Sequence, residues 1–270
     1  MKRIFISGHN GYVGKELIKR GFLPLECDIT DWMSVEKSVK YAKPHLVLHL
    51  AAKSNIDWCE DKRNQEEVIK TNVRGTYNVF EVLSNAKIPG VLLSSDHIWK
   101  GGLFETHKEY SRPTLPVNFY GTTKAAAEGV ARSFDMKIVR SSYLFDSHRL
   151  EREIEDLKIG HPRMYPIFIK RSFLYLQDFC DMLEKYCVDF HRMPEVLHLS
   201  GSVVTSWYSF VRQIAWQYGY SAKSVKPKFF DSKKFVPRPH NGGLNMSLSH
   251  SLGFAPKDFM DGIERMKNEG

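Results

Sequence analysis

Tyr120 and Lys124 stand four residues apart in Tyr120-Gly121-Thr122-Thr123-Lys124, at the start of a segment with helical periodicity. Four residues is about one helical turn, so the phenol and the ammonium share a face. A cation beside a phenol favours the phenolate and draws its pKa towards neutrality. A tyrosine tuned in this way serves as general acid or base at an oxygen. The spacing alone also fits an ordinary surface pair. Upstream, the apolar run Val91-Leu92-Leu93 ends in Ser94-Ser95-Asp96. An open parallel sheet binds its ligands at the carboxyl ends of its strands, which is where hydroxyls that act on a substrate are expected.

A second set of residues suits a phosphate. Ser7-Gly8-His9-Asn10-Gly11-Tyr12-Val13-Gly14 spaces its glycines as GxxGxxG, between an apolar strand-like run and a helical pattern. Gly8 permits the tight turn, Gly11 lets a pyrophosphate approach the backbone, and Gly14 lets helix and strand pack closely. The helix N-terminus adds N–H groups and the positive end of its dipole. A plain tight turn is the alternative. Glu26 and Asp28 fall where an acidic residue would bond a cofactor ribose and oppose a 2′-phosphate. Neither is tied to the strand end by sequence alone, so NADP and NAD both stay open.

These residues need a scaffold, and the first half of the chain supplies one. Short apolar runs at Ile4–Ile6, Leu23–Cys27, His45–Leu50, Val91–Leu93 and Lys137–Val139 read as strands. Helical patterns at Tyr12–Arg20, Trp32–Tyr41, Glu66–Ser84 and Tyr120–Phe134 alternate with them. Such alternation predicts an α/β fold with a doubly wound, Rossmann-type parallel sheet. The second half is less regular. Helices are expected near Phe173–Tyr186, Ser206–Tyr218 and Lys257–Met266, a strand at Val196–Leu199, and a loop over Lys223–Asn245. Residues 1–145 are therefore read as a dinucleotide-binding domain and 146–270 as a smaller, partly interleaved substrate lobe. The helix near 173–186 is expected to pack on the first domain. The aromatic group Trp207, Tyr208, Phe210, Trp216 and Tyr218 reads as core rather than as a binding platform.

Composition narrows the function classes. The 270 residues carry 39 basic and 31 acidic side chains, a net charge of +8. The excess is spread, 21 basic against 16 acidic in residues 1–145 and 18 against 15 in the rest. A nucleic-acid binder concentrates its charge, so no nucleic-acid partner is expected. No apolar run is long enough to span a bilayer, and no signal peptide is read at the N-terminus. A cytoplasmic protein without a membrane partner is the expectation. The four cysteines form no CxxC pair and the histidines show no metal-ligand spacing, so neither a metal nor a disulfide is expected.

Further motifs join these. They include Asp28-Ile29-Thr30-Asp31, Leu50-Ala51-Ala52, Thr71-Asn72-Val73-Arg74-Gly75-Thr76, Ser94-Ser95-Asp96-His97-Ile98-Trp99 and Pro116-Val117-Asn118-Phe119-Tyr120. Leu199-Ser200-Gly201, Ser206-Trp207-Tyr208 and Arg238-Pro239-His240-Asn241 extend the pattern towards the C-terminus. Together they resemble the extended short-chain dehydrogenase/reductase family over nearly the whole chain. Within it they are most similar to the dTDP-4-dehydrorhamnose reductase-like sugar-nucleotide reductases. The resemblance implies reduction of a nucleoside-diphosphate 4-keto-6-deoxy sugar with NADP or NAD as cofactor, in nucleotide-sugar biosynthesis.

It also implies roles. Tyr120 would protonate the substrate carbonyl, Lys124 would hold the nicotinamide ribose, and Ser95 would bond the reacting oxygen with Asp96 beside the substrate. Gly8, Gly11, Tyr12, Val13 and Gly14 would serve the pyrophosphate, and Asp28 with Ile29 the adenine. Ala51, Ala52 and Lys53 would line the cofactor cleft, with Asn72 supporting the site. Members of the family pair through helices, which implies a homodimer using Glu66–Ser84 and Tyr120–Phe134.

Two places depart from the family pattern. His97 replaces a usual aromatic, and reads first as a hydrogen-bonded structural histidine and second as an added acid/base group at the substrate. Lys170 and Arg171 replace an acidic segment, and either grip a diphosphate or belong to a solvated loop; Arg238 is a further diphosphate candidate. Two other readings share the resemblance. One is a nucleotide-sugar epimerase, alone or combined with reduction, and the other is a non-catalytic regulatory subunit of the same fold.

Overall fold

A computed structural model describes residues 3–102, 106–229, 236–255 and 257–269. The chain divides into two compact units. The first comprises residues 3–99, 112–140 and 183–197 of those described, and the second the remainder.

In the first unit, β1 (Ile4–Ser7), β2 (Leu23–Pro24), β3 (Leu46–His49), β4 (Gly90–Ser95) and β5 (Lys137–Ser141) alternate with helices. The helices are α1 (Tyr12–Lys19), α2 (Trp32–Ala42), α3 (Ile56–Glu60), α4 (Gln65–Ile69), α5 (Thr76–Asn85) and α6 (Phe119–Ser133). With the later strand Val196–His198 they form a six-stranded sheet in the order 2-1-3-4-5 followed by that strand. β1 pairs in parallel with β2 on one side and β3 on the other, and β3 with β4. The strand order therefore reverses at β1, which leaves a crevice at the carboxyl ends of β1 and β3. All four residues of β3 are buried, as expected of a strand covered on both faces. Phe5, Val47 and Leu92 on the sheet pack with Val35 and Val39 of α2 and Phe80 of α5 in one core.

The helix expected over Glu66–Ser84 is interrupted. Between α4 and α5 lies a π turn, Lys70–Gly75. The buried Asn72 sits inside it, and its amide binds both backbone groups of Lys53, accepting from N–H at 2.7 Å and donating to the carbonyl at 3.0 Å. The wider turn places that side chain inward. The Ile29 side chain packs directly on Gly75, where a Cβ would stand 2.7 Å from its Cδ1.

The second unit begins at the carboxyl side of β5 with β6 (Leu144–Phe145), α7 (Glu151–Lys158), β7 (Arg163–Pro166), β8 (Lys170–Ser172) and β9 (Leu174–Tyr175). α8 (Leu176–Val188) starts in this unit, and its last turns belong to the first. After β10, the strand Val196–His198 already placed in the large sheet, come β11 (Val204–Ser206), α9 (Trp207–Tyr218), β12 (Val225–Lys228), β13 (Asn241–Gly242), α10 (Ser247–Ser251) and α11 (Phe259–Glu269). Phe173 stacks on Phe210 with centroids 3.9 Å apart, at the centre of an aromatic and aliphatic core shared by α9 and α11. Of the aromatic group on α9, Phe210 is fully buried, Trp207, Tyr208 and Tyr218 pack against the core, and Trp216 is exposed.

Two stretches that were not read as strands are partly strands. Lys170–Ser172 is the middle strand of a three-stranded sheet between β11 and β13. Val225–Lys228 pairs in parallel with β7. Both are short, polar and basic, so neither carries the apolar alternation that marks a strand. Residues 230–235 of the expected Lys223–Asn245 loop lie outside the described residues.

Beneath the carboxyl end of β4, Arg140 and Glu128 form a two-pronged ion pair of 2.8 and 2.7 Å, both essentially without solvent exposure. Trp99 covers the guanidinium at 4.8 Å. Removing one charge strands the other, so Arg140→Met should cost about 3–5 kcal/mol. Urea unfolding monitored by circular dichroism should show the midpoint fall accordingly; an unchanged midpoint would contradict this assignment.

Candidate functional site

Strand β4 ends in Ser95, and the chain then makes a short 3₁₀ turn, Asp96–Ile98. Ser95 caps the turn through its side chain, accepting from the backbone N–H of His97 at 3.3 Å and donating to Oδ1 of Asp96 at 3.1 Å. Helix α6 begins beside it. Its cap is Asn118, whose Oδ1 accepts from the N–H of Gly121 at 2.8 Å. A second acceptor, Oε2 of Glu60 on α3, takes the N–H of Phe119 at 2.7 Å. Two of the orphan N–H groups of the first turn are thus satisfied by side chains, which fixes Tyr120 in place.

The turn and the helix meet closely. A Cβ on Gly121 would stand 2.1 Å from the carbonyl oxygen of His97, so only glycine allows this approach. The His97 and Tyr120 rings pack edge to face with centroids 5.6 Å apart. One turn on, Lys124 is buried and its Nζ donates to the carbonyl of Leu93 at 2.6 Å. Ser95, Asp96, His97, Tyr120 and Lys124, expected to act together, are therefore held on one strand end and one helix start.

Burial pulls the Lys124 ammonium down to about 8, against the opposing influence of Glu128 one turn further on. The same burial, and then the charge of Lys124, hold His49 down to about 3. His49 is locked between Ser7 Oγ on Nδ1 at 2.6 Å and Thr76 Oγ1 on Nε2 at 3.0 Å. Asn72 reaches α6 as well, donating to Oγ1 of Thr123 at 3.0 Å.

The glycine loop forms a closed cradle. Gly8 adopts φ +81°, and a Cβ there would meet Ala51 N at 2.5 Å. A Cβ on Gly14 would meet the Gly8 carbonyl at 2.4 Å. Gly11 caps α1 with extended backbone and no side-chain cap, and Tyr12 and Val13 follow in the first turn. The concave backbone fits a pyrophosphate at a helix N-terminus. Beyond β2, Asp28 is exposed and its Oδ1 accepts from N–H and Oγ1 of Thr30, which holds its carboxyl below the usual range. Ile29 is buried against Gly75, and its carbonyl accepts from Nδ2 of Asn78 at 2.9 Å. Ala51, Ala52 and Lys53 are half-buried after β3; the Lys53 ammonium pairs with Glu67 at 2.5 Å and lies 5.3 Å from the Trp58 ring.

The remaining expected residues lie in the second unit. Arg171 is not in a solvated loop: it is 3% exposed on β8, with Nη1 donating to the carbonyls of Lys170 and Pro239. Lys170 is half-buried beside it. Arg238 donates from Nη1 to the Val236 carbonyl. Among the described residues no three His, Cys, Asp or Glu side chains are grouped to hold a metal, and no helix is long and apolar enough to cross a membrane. Cys59 is buried with its thiol pushed up to about 11 and donating to the Lys53 carbonyl at 3.5 Å.

Asn118 stood in a quoted motif without a role of its own, and Glu60 escaped the sequence reading. The Asn two residues before Tyr120 is an N-cap signal, legible in principle. Glu60 carries no such signal, because its partner lies 59 positions away.

Because unfolded Lys124 holds its proton up to about 10.5 and folded Lys124 only to about 8, the unfolded chain binds the extra proton between those values, and stability rises with pH across that window. Below about 8 the charged lysine costs the fold its full penalty. Lys124→Met should therefore be more stable than the parent at pH 7 by about 2 kcal/mol. The advantage should shrink between pH 8 and 10.5. A less stable variant with a pH-independent difference would contradict the buried-charge account.

Comparisons with known proteins agree with this fold. The RmlD substrate binding domain model matches residues 1–154. The chain is 24% identical to the spore coat polysaccharide biosynthesis protein SpsK of Bacillus subtilis (strain 168), covering 100% of this chain and 98% of that one. It is 23% identical to the dTDP-4-dehydrorhamnose reductase of Escherichia coli (strain K12), covering 98% and 97%. Among solved structures it is similar to the dTDP-4-dehydrorhamnose reductase of Bacillus anthracis in complex with NADP, with a TM-score of 0.90 at 24% identity over 100% of this chain and 99% of that one. It is also similar to DesIV, the dTDP-glucose 4,6-dehydratase of Streptomyces venezuelae with NAD bound, with a TM-score of 0.77 at 17% identity over 98% and 95%. These likenesses establish the doubly wound α/β fold expected from the strand–helix alternation. With 154 of its 270 residues matched by that model, the chain belongs to the RmlD substrate binding domain family.

Proposed function

We propose that the chain is an NAD(P)-dependent oxidoreductase that reduces a nucleoside-diphosphate 4-keto-6-deoxy sugar in deoxysugar biosynthesis. The observation that carries this reading is the meeting of Ser95, Tyr120 and Lys124 where β4 ends and α6 begins, beside a glycine cradle shaped for a dinucleotide. The curated relatives that match the chain over nearly its whole length include dTDP-4-dehydrorhamnose reductases, and a solved neighbour was crystallised with NADP.

A reduced nicotinamide, when bound, supplies the hydride that reaches the keto carbon. The chain's own groups do the rest. The N–H groups at Gly11, Tyr12 and Val13 hold the pyrophosphate, with Gly8 and Gly14 keeping the backbone close enough to do so. Asp28 and Ile29 flank the adenine, Ala51, Ala52 and Lys53 line the cleft, and Lys124 binds the nicotinamide ribose. Ser95 donates to the carbonyl oxygen and aligns it, while Tyr120 gives that oxygen its proton. Positioning of these donors against developing negative charge lowers the barrier. Lys124 favours the tyrosinate left behind, although its own charge is weakened by burial. Asp96 and His97 lie beside the sugar, and Lys170, Arg171 and Arg238 serve the diphosphate.

A homodimer is part of the same proposal. Ile69 and Tyr77, on the helical stretch expected to pair, are large apolar side chains left exposed at 38% and 44%. Light scattering should return twice the 31.2 kDa of one chain; a single-chain mass would count against it. The same proposal sets the reaction in the cytoplasm.

The deciding assay follows NADPH and NADH oxidation at about 340 nm, the reduced nicotinamide band, with a panel of nucleoside-diphosphate 4-keto-6-deoxy sugars. Tyr120→Phe should lower kcat by about 10²–10⁴-fold with cofactor affinity unchanged. Equal turnover by the variant would remove Tyr120 from the chemistry. Silence across the panel with a dinucleotide still bound would favour an epimerase or a regulatory subunit.

A further inference from the structure

His49, the last residue of β3, is a buried titratable ring with no part in the proton transfer, and its neighbours fix where its hydrogen lies. Thr76 Oγ1 stands 2.7 Å from the carbonyl oxygen of Asn72. A carbonyl only accepts, so the single hydroxyl hydrogen of Thr76 is spent there. Towards His49 the same Oγ1 can then only accept, and Nε2, 3.0 Å away, must carry the hydrogen. Burial, and then the charge of Lys124, hold the imidazole down to about 3, so the ring is neutral. A neutral ring with its hydrogen on Nε2 has a bare Nδ1, which accepts the Ser7 hydroxyl at 2.6 Å.

The same direction continues beyond Asn72. Oδ1 of that side chain accepts from the N–H of Lys53 at 2.7 Å, which identifies the nitrogen end of the amide. The nitrogen donates to Oγ1 of Thr123 at 3.0 Å, and Thr123 donates to the carbonyl of Tyr120 at 2.8 Å. One buried line of donors therefore runs from Ser7 through His49, Thr76, Asn72 and Thr123 to the backbone of Tyr120. Ser7 immediately precedes Gly8, where the backbone passes Ala51 too closely for a Cβ. One end of the line is thus the glycine cradle, and the other is the first turn of α6. Buried polar groups in such a line stabilise one another, and a missing member leaves its neighbours unsatisfied.

We propose that His49 is a positioning residue for the reduction: as a neutral imidazole with its hydrogen on Nε2, it keeps the glycine cradle in register with the helix start that carries Tyr120. The place needs a side chain that accepts at one end and donates at the other, and imidazole does both in one rigid ring. Its ring also packs edge to face on Phe80 with centroids 5.4 Å apart, so its shape and its hydrogen bonds can be separated by substitution. No proton or charge moves along the line. Its contribution is alignment of the dinucleotide with the phenol, on which the rate of a positioned reaction depends. The inference rests on the reading that the cradle holds the dinucleotide and that Tyr120 protonates the substrate carbonyl.

Two measurements on the full-length protein test it. Long-range proton–nitrogen spectra of the ¹⁵N-labelled chain, without cofactor or substrate and with His49 assigned by its loss in His49→Gln, should show a neutral ring protonated on Nε2 near neutral pH. A hydrogen on Nδ1, or a doubly protonated ring, would overturn the proposal. In steady-state assays His49→Phe, which keeps a ring against Phe80, should lose roughly 10- to 100-fold in kcat. Its KM, and its dinucleotide affinity read from tryptophan fluorescence, should change little. His49→Gln, whose amide still donates to Thr76, should lose less kcat than His49→Phe. A histidine that merely fills space would give the opposite order, and that order, or full kcat in His49→Phe, would contradict the role. Dinucleotide affinity lost in step with kcat would contradict it too, because that marks general damage to the fold. An inactive wild-type chain would instead sink the reductase reading, whereas the tautomer is read without turnover, so the two failures can be told apart.

Discussion

The arrangement turns on one buried hydrogen bond, from the Lys124 ammonium to the carbonyl of Leu93. It fastens α6 to the strand that ends in Ser95, and does so with a group that would rather be in water. Burial lowers its pKa to about 8, because an ammonium held out of water is disfavoured against the neutral amine. The carboxylate one turn along α6, Glu128, opposes the shift, but its own charge is taken up by Arg140 and approached by Arg132 at 3.8 Å. Lysine, carboxylate and guanidinium thus form a short column of alternating charge under the site. Each is tolerable because the next is present.

Around that column the positioning is done mostly by backbone groups and amides. The π turn at Lys70–Gly75 lets Asn72 hold the backbone after β3 with one face of its amide and α6 with the other. Asn118 does the equivalent between α6 and the 3₁₀ turn. Glycines at 8, 14 and 121 stand where backbone passes closer than a Cβ would allow. The site is held from three directions: the sheet, the helix start and the loop after β3. Rigid placement of donors is what a reaction with a cofactor asks of its protein.

Much of this was legible in the sequence. The strand–helix alternation, the glycine loop and the Tyr120–Lys124 spacing are local signals, and they depend on nearby residues only. What was hidden is what depends on distant ones. The break in the Glu66–Ser84 helix arises from Asn72 reaching a backbone 19 positions earlier, and periodicity cannot register it. Strand β8 was hidden because Lys170-Arg171-Ser172 has no apolar alternation; it is a strand only because β11 and β13 flank it. The burial of Arg171 follows from the same cause. Its charge, read from sequence as available to phosphate or water, is partly committed to carbonyls of its own unit.

The same scaffold serves reductases and dehydratases among the proteins this chain resembles, so the chemistry is decided at the site. These differ in the fate of one hydrogen. The most direct test incubates the chain with dTDP-4-keto-6-deoxy sugar and reduced nicotinamide deuterated at C4, in each of its two stereoisomers, and reads the product by mass spectrometry and NMR. Reduction predicts one deuterium at the former carbonyl carbon, from one of the two isomers, with one cofactor oxidised per product. Product formed without deuterium at that carbon, or without net cofactor oxidation, would contradict it.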